Sequence, residues 1–116
     1  MFKIKRIYAV AEPADRYRVL VDRVWPRGVS KHKARIDVWM KEIAPSDQLR
    51  KWFGHDPKRW VEFQKRYRDE LELKPQLIDQ LREFEKKYDT VTLIYSARDD
   101  RRNQAVVLRA FLQSST

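Results

Sequence analysis

Apolar residues gather in two early stretches, Phe2 to Tyr8 and Tyr17 to Val24, both rich in β-branched and aromatic residues, the second opening on the apolar run Tyr17 to Val21. That pattern predicts two strands. The segment between them, Ala9 to Arg16, holds Glu12-Pro13-Ala14-Asp15 and reads as a loop. It is short for a crossover between parallel strands, so a hairpin is the physical default. Trp25 to Lys33 is irregular, punctuated by Pro26 and Gly28, and Arg35 to Met40 reads as a short helical turn.

A helical period follows. Ser46 has the character of an N-cap for a helix through Phe53 that buries Leu49, Trp52 and Phe53, and Gly54 is placed to stop it. Asp56-Pro57 restarts the chain as N-cap and first helical residue. Trp60, Phe63, Tyr67 and Leu71 then recur at spacings of three and four, the mark of one apolar helical face. Pro75 opens another helix carrying Leu77, Ile78, Leu81, Phe84 and Tyr88, with Lys86 and Lys87 at its C-terminal dipole end. Thr90 to Ser96 is a strand without internal charge, which implies burial on both faces. Asn103 to Leu112 forms a final helix with Val106, Val107, Ala110 and Phe111 inward. With no repeat, low-complexity stretch or linker, residues 1–116 are expected to form one α/β domain. Its sheet is expected to be short, about three-stranded, and parallel or mixed, with helices packed around it.

Composition narrows the function classes. The chain has no Cys, which excludes a disulfide framework, a thiol nucleophile and a Cys-metal site. His32 and His55 lack metal-ligand spacing, so neither a metal nor a cofactor is expected, and His55 is read as shaping the Gly54–Asp56 junction. No apolar run approaches the ~20 residues of a membrane span, and the early charges do not fit a signal peptide. A cytoplasmic protein is the simplest reading. The net charge of +9 is uneven: residues 1–35 carry +7, residues 36–97 balance, and residues 98–116 carry +2. Concentrated positive charge favours phosphate-bearing partners, nucleotides or nucleic acid. For single surface lysines, simple solvation is the competing reading.

Two segments carry candidate chemistry. Asp22-Arg23-Val24-Trp25-Pro26-Arg27-Gly28 follows the second strand, and Tyr95-Ser96-Ala97-Arg98-Asp99-Asp100-Arg101-Arg102-Asn103-Gln104 joins the last strand to the last helix. Ligands in open α/β sheets sit beyond the carboxyl ends of the strands, where both segments fall. Arginine forks bind phosphate or carboxylate, and an indole can stack on a base. The candidate anion-binding residues are therefore Arg23, Trp25, Arg27, Ser96, Arg98 and Asn103. Packing competes for Trp25, as does helix capping for Asp99 or Asp100. The two glycines, Gly28 and Gly54, are too few and wrongly placed for a phosphate-cradling loop.

The blocks from Tyr17 to Gly28, Pro45-Ser46, Leu49 to Asp56 and Leu93 to Ala97 together resemble the YeaO-like branch of the domain-of-unknown-function 488 family. The likeness spans nearly the whole chain in the same order. It implies a small α/β domain of bacterial or archaeal origin without an established role, and a parallel relation of the first two strands. Branch members usually read Asn-His-Ala where this chain has Asn103-Gln104-Ala105, and the wider family's Cys-His-Arg block is absent. Glutamine cannot act as a general base near neutral pH. The preferred expectation is thus a binder of a phosphate-bearing ligand, nucleotide or nucleic acid, in a cleft at the strand ends. One alternative is a small hydrolase or transferase acting on a nucleotide-like anion, with Asp22 as base and Ser96 as a nucleophilic or positioning hydroxyl. Another is an interaction protein with an acidic partner.

Overall fold

Alternation along the strands gives this sheet two buried faces of different character. A computed structural model describes residues 1–114. Four parallel strands, β1 (Phe2–Arg6), β2 (Tyr17–Leu20), β3 (Val38–Trp39) and β4 (Val91–Tyr95), lie in the order β1-β4-β2-β3. On one face Phe2, Val19, Val21, Val91, Leu93 and Tyr95 join the main core. On the other, Leu20 and Ile94 meet Ile7 and Ala34, with Trp25 and Trp39 packed against them. Burial of β4 on both faces follows the expectation from its uncharged sequence.

The hairpin default for the first two strands is overturned. β1 and β2 each pair with β4, with Phe2 and Tyr17 both beside Val91, and never with each other. The connection manages this without a helix, using only a single 3-10 turn at Pro13–Asp15. Extended chain covers ~3.3 Å per residue, so even this short link outreaches the five-residue strand it must retrace. The parallel relation implied by the family resemblance holds.

The helices are α1 (Lys31–Ala34), α2 (Asp47–Phe53), α3 (Trp60–Glu72), α4 (Pro75–Tyr88) and α5 (Gln104–Ser114). Their ends are written in side chains. Ser46 Oγ accepts from the Leu49 N–H at 3.2 Å, Gly54 closes α2 at φ 52°, and Asp56 Oδ1 accepts from the Lys58 N–H at 3.0 Å. Ser46 also donates to Glu70 through its backbone N–H (2.8 Å) and hydroxyl (2.6 Å), fixing the start of α2 to α3. Phe53, Phe63 and Tyr67 stack in series between these helices.

Arg35 to Met40 is not a helical turn. The helix lies earlier, at α1, where Ser30 Oγ accepts from the Lys33 N–H at 3.1 Å. Val38 and Trp39 extend instead, because the Asp37 and Met40 N–H groups donate to Arg18 and Leu20 carbonyls. This tertiary pairing adds the fourth strand. Among the described residues, no helix is long and apolar enough to cross a membrane.

Candidate functional site

Strands β2 and β4 end side by side, and residues that follow each of them line a cleft of about 570 Å³. Phe53 and Phe63 give it an apolar wall, and Arg23, Arg50, His55, Ser96, Arg98 and Gln104 supply polar edges. This position beyond the strand carboxyl ends is the ligand position of open α/β sheets. Its chemistry is set by what each polar group is already doing.

Asp22 lies at the floor and is 7% exposed. Its Oδ2 accepts from the Ser96 hydroxyl at 2.5 Å, and its Oδ1 accepts from Gln104 Nε2 at 2.6 Å. The Trp39 indole N–H donates to the Asp22 carbonyl at 2.6 Å. One residue thus ties together the end of β2, the end of β4, the start of α5 and β3. Burial pushes the Asp22 carboxyl above its ordinary value, against the hydrogen bonds from Ser96 and Gln104 and the nearby His55. Gln104, noticed in the sequence only as a departure from the family pattern, is one arm of this latch.

A raised value means that the folded state holds the carboxyl proton more tightly than the unfolded chain does. The resulting stabilisation is complete below the unfolded value, about 3.9, and is lost as pH rises through the raised one. Asp22→Asn removes that loss, and the Gln104 amide can turn over to accept from the new amide nitrogen. The stability advantage of the variant over wild type is expected to widen from pH 4 to pH 7. Urea unfolding at both pH values checks this, and a variant less stable throughout contradicts it.

The cationic groups divide sharply. Arg23 lines the cleft but spends its guanidinium on the Pro45 carbonyl (2.8 Å) and the Ala44 carbonyl (3.2 Å). Arg50 is exposed and pairs with Asp47 at 3.1 Å. Arg98 is exposed at the cleft mouth and has no hydrogen-bond or ion-pair partner among the described residues. Asp99 lies beside it, but its Oδ1 accepts the Arg101 and Arg102 N–H groups and its Oδ2 the Arg102 guanidinium. These bonds hold its carboxyl below its ordinary value.

Of the six anion-binding candidates, the structure brings Arg23, Ser96 and Arg98 to the cleft. Trp25, Arg27 and Asn103 stand outside it. The Trp25 indole donates to the Val29 carbonyl at 2.7 Å and meets Trp39 edge-on at 5.5 Å, so it packs against the second core. Asn103 is buried and caps α5, accepting from the Val106 N–H at 3.1 Å and donating to the Asp99 carbonyl. Arg27 is exposed on the neighbouring loop. His55, read as a junction residue, does sit there at φ 57°, and it also faces the cleft with Arg50. The sign of this was its place directly after the Gly54 stop of α2. No group of three or more His, Cys, Asp or Glu is arranged to hold a metal among the described residues.

Relatives match the chain in sequence over nearly its whole length. The uncharacterized protein YeaO of Escherichia coli K12 is 43% identical over 110 residues, covering 95% of each chain. The uncharacterized protein Rv3073c of Mycobacterium tuberculosis H37Rv is 39% identical over 110 residues, covering 95% of this chain and 92% of its own. No solved structure matches significantly. The family model described as the inactive DUF488-N3 subclade matches residues 1–116, and the chain belongs to that subclade.

Proposed function

We propose that the protein binds a small phosphate-bearing molecule, of the nucleotide class, in the cleft between the ends of β2 and β4. The observation that carries this reading is Arg98: an unpartnered guanidinium at the mouth of a cleft whose inner wall is aromatic. Arg98 offers a fork to the phosphate, and Phe53 and Phe63 offer an apolar surface to the base or another flat group. At the rim, Arg50 adds a guanidinium and His55 an imidazole that can hydrogen-bond a ligand. The cleft volume falls within the ordinary span of small-ligand sites, roughly 300–1,000 Å³. Asp22 and Ser96 act on this reading as a fixed floor and not as reactants. A subclade described as inactive accords with that. The same reading takes the protein to be cytoplasmic, where nucleotides are abundant.

One observation favours a second reading, a hydrolase or transferase. Ser96 Oγ stands 2.5 Å from a carboxylate, the spacing of a hydroxyl and its base. Both readings meet in one experiment, calorimetric titration of nucleoside monophosphates with product analysis of the same samples. Arg98→Ala is expected to weaken binding at least about tenfold, since hydrogen bonds to charged groups are worth about 1.5–3 kcal/mol. Unchanged affinity in Arg98→Ala overturns the binding reading. Turnover that vanishes in Ser96→Ala replaces it with the enzymatic one.

A further inference from the structure

The loop that covers the second face of the sheet is basic without interruption. From Arg23 to Ile36 the chain carries Arg23, Arg27, Lys31, Lys33 and Arg35 and no Asp or Glu. The last four are exposed, and none makes an ion pair among the described residues. Elsewhere some exposed cations are paired within their own helix, as in Arg50–Asp47 and Arg66–Glu62, whereas the strap has no acidic residue to pair with. Four uncompensated charges on a short strap repel one another, and that arrangement is stabilised by a polyanion.

Beside the strap lies a hollow of about 470 Å³, between the loop after β1 and the loop after β2. Tyr8 stands at its edge and is 51% exposed. The ring is held in place: the Arg6 guanidinium lies 4.7 Å from its centroid, and its hydroxyl donates to the Arg27 carbonyl at 3.4 Å. Arg6 is itself fixed by the Ser96 and Ala97 carbonyls. A positioned, half-open aromatic ring among unpaired cations has the form of a stacking platform along a phosphate track. Lys33 and Arg35 line the same hollow. A duplex hides the faces of its bases, so only a single strand can use Tyr8.

We infer that this strap, with Tyr8, is a binding surface for single-stranded nucleic acid, separate from the cleft that holds Arg98. Arg27, Lys31, Lys33 and Arg35 contact successive phosphates, and one base stacks on Tyr8.

The test is fluorescence anisotropy of a labelled oligothymidylate of roughly 15 nucleotides, read across a salt series. Four phosphate contacts to a single strand give a slope of log affinity against log salt of about −3, or roughly a fiftyfold loss between 50 and 200 mM. Lys31→Ala with Lys33→Ala halves the slope, so the same salt step costs only about sevenfold. Both side chains are exposed, so the fold is unaffected. Tyr8→Ala weakens binding about tenfold at unchanged slope, whereas Tyr8→Phe binds as wild type does. Arg98→Ala leaves oligonucleotide binding intact. Binding without salt dependence, equal binding of a duplex, or a slope reduced by Arg98→Ala and not by the strap variant each overturns the inference.

Discussion

Asp15→Ala is expected to destabilise the fold by about 3–5 kcal/mol, the ordinary consequence of leaving a buried charge without its partner. Asp15 and Arg18 are 5% and 4% exposed. The Arg18 guanidinium donates to Asp15 Oδ2 at 2.6 Å, to the Ala34 carbonyl at 2.9 Å and to the Arg35 carbonyl at 3.1 Å. Lys5 Nζ, on β1, reaches Asp15 Oδ1 at 2.9 Å. Without Asp15, Arg18 keeps its carbonyls but loses its only counter-charge within ion-pair distance among the described residues. The midpoint of thermal unfolding should fall by roughly 10–25 °C. Adding Arg18→Met should restore part of the loss, since the pair's desolvation then disappears with the pair. A double variant no more stable than Asp15→Ala contradicts this account.

The same cluster sets an acid limit on the fold. Burial pushes the Asp15 carboxyl up, but the Glu12 N–H, Lys5 and Arg18 outweigh it and the net direction is down. A lowered value stabilises the folded state above the unfolded value, about 3.9, and that stabilisation is lost as pH falls through the folded one. Wild type should therefore lose stability below about pH 4 more steeply than Asp15→Ala does.

Phe63→Ala is expected to cost about 3–5 kcal/mol and to damage the cleft as well. Phe63 is 2% exposed, stacks on Phe53 at 4.2 Å and 18°, and lies 5.8 Å from Trp60 and 5.9 Å from Tyr67. Its removal leaves a void that the stacked neighbours cannot close without giving up their own contacts. Because Phe63 also lines the cleft, that void opens into the proposed ligand site. Urea unfolding should show the loss, and nucleotide affinity should drop with it. Val61, two residues earlier in α3 and 78% exposed, provides the contrast. Val61→Ala should change stability by no more than about 0.5 kcal/mol.

Helix ends were legible in the sequence wherever one side chain decides them. Ser46, Gly54, Asp56-Pro57 and Pro75 each satisfy or remove a terminal backbone group, and the helices begin and end beside them. The strand β3 was not legible, since its two residues extend only because β2 offers its edge. The strand order was hidden for the same reason: nothing local in β1 or β2 says that a segment some seventy residues beyond β2 will lie between them. Charge was legible as a sum but not as a direction. Lys5 and Arg18 belong to the basic excess of the first 35 residues, yet both turn to Asp15 and offer nothing to a ligand. Arg23 is likewise held by backbone carbonyls, which carry no sequence signal. The cleft was legible as a place because strand ends are general ligand positions, and the Asp22 latch that forms its floor was not.

The central place of β4 governs how the chain can come into being. Phe2 pairs with Val91 and Tyr17 pairs with Val91, so both strands wait for a partner synthesised some seventy residues after β2. Until then β2 has only the two-residue β3 beside it, and β1 has no strand neighbour among the described residues. Long-range parallel pairing closes large loops and is slow for that reason. Assembly of the sheet during translation must therefore await emergence of the segment through Tyr95. α2 to α4, whose start and stop signals are local, are synthesised in that interval and so precede the strand that completes the sheet.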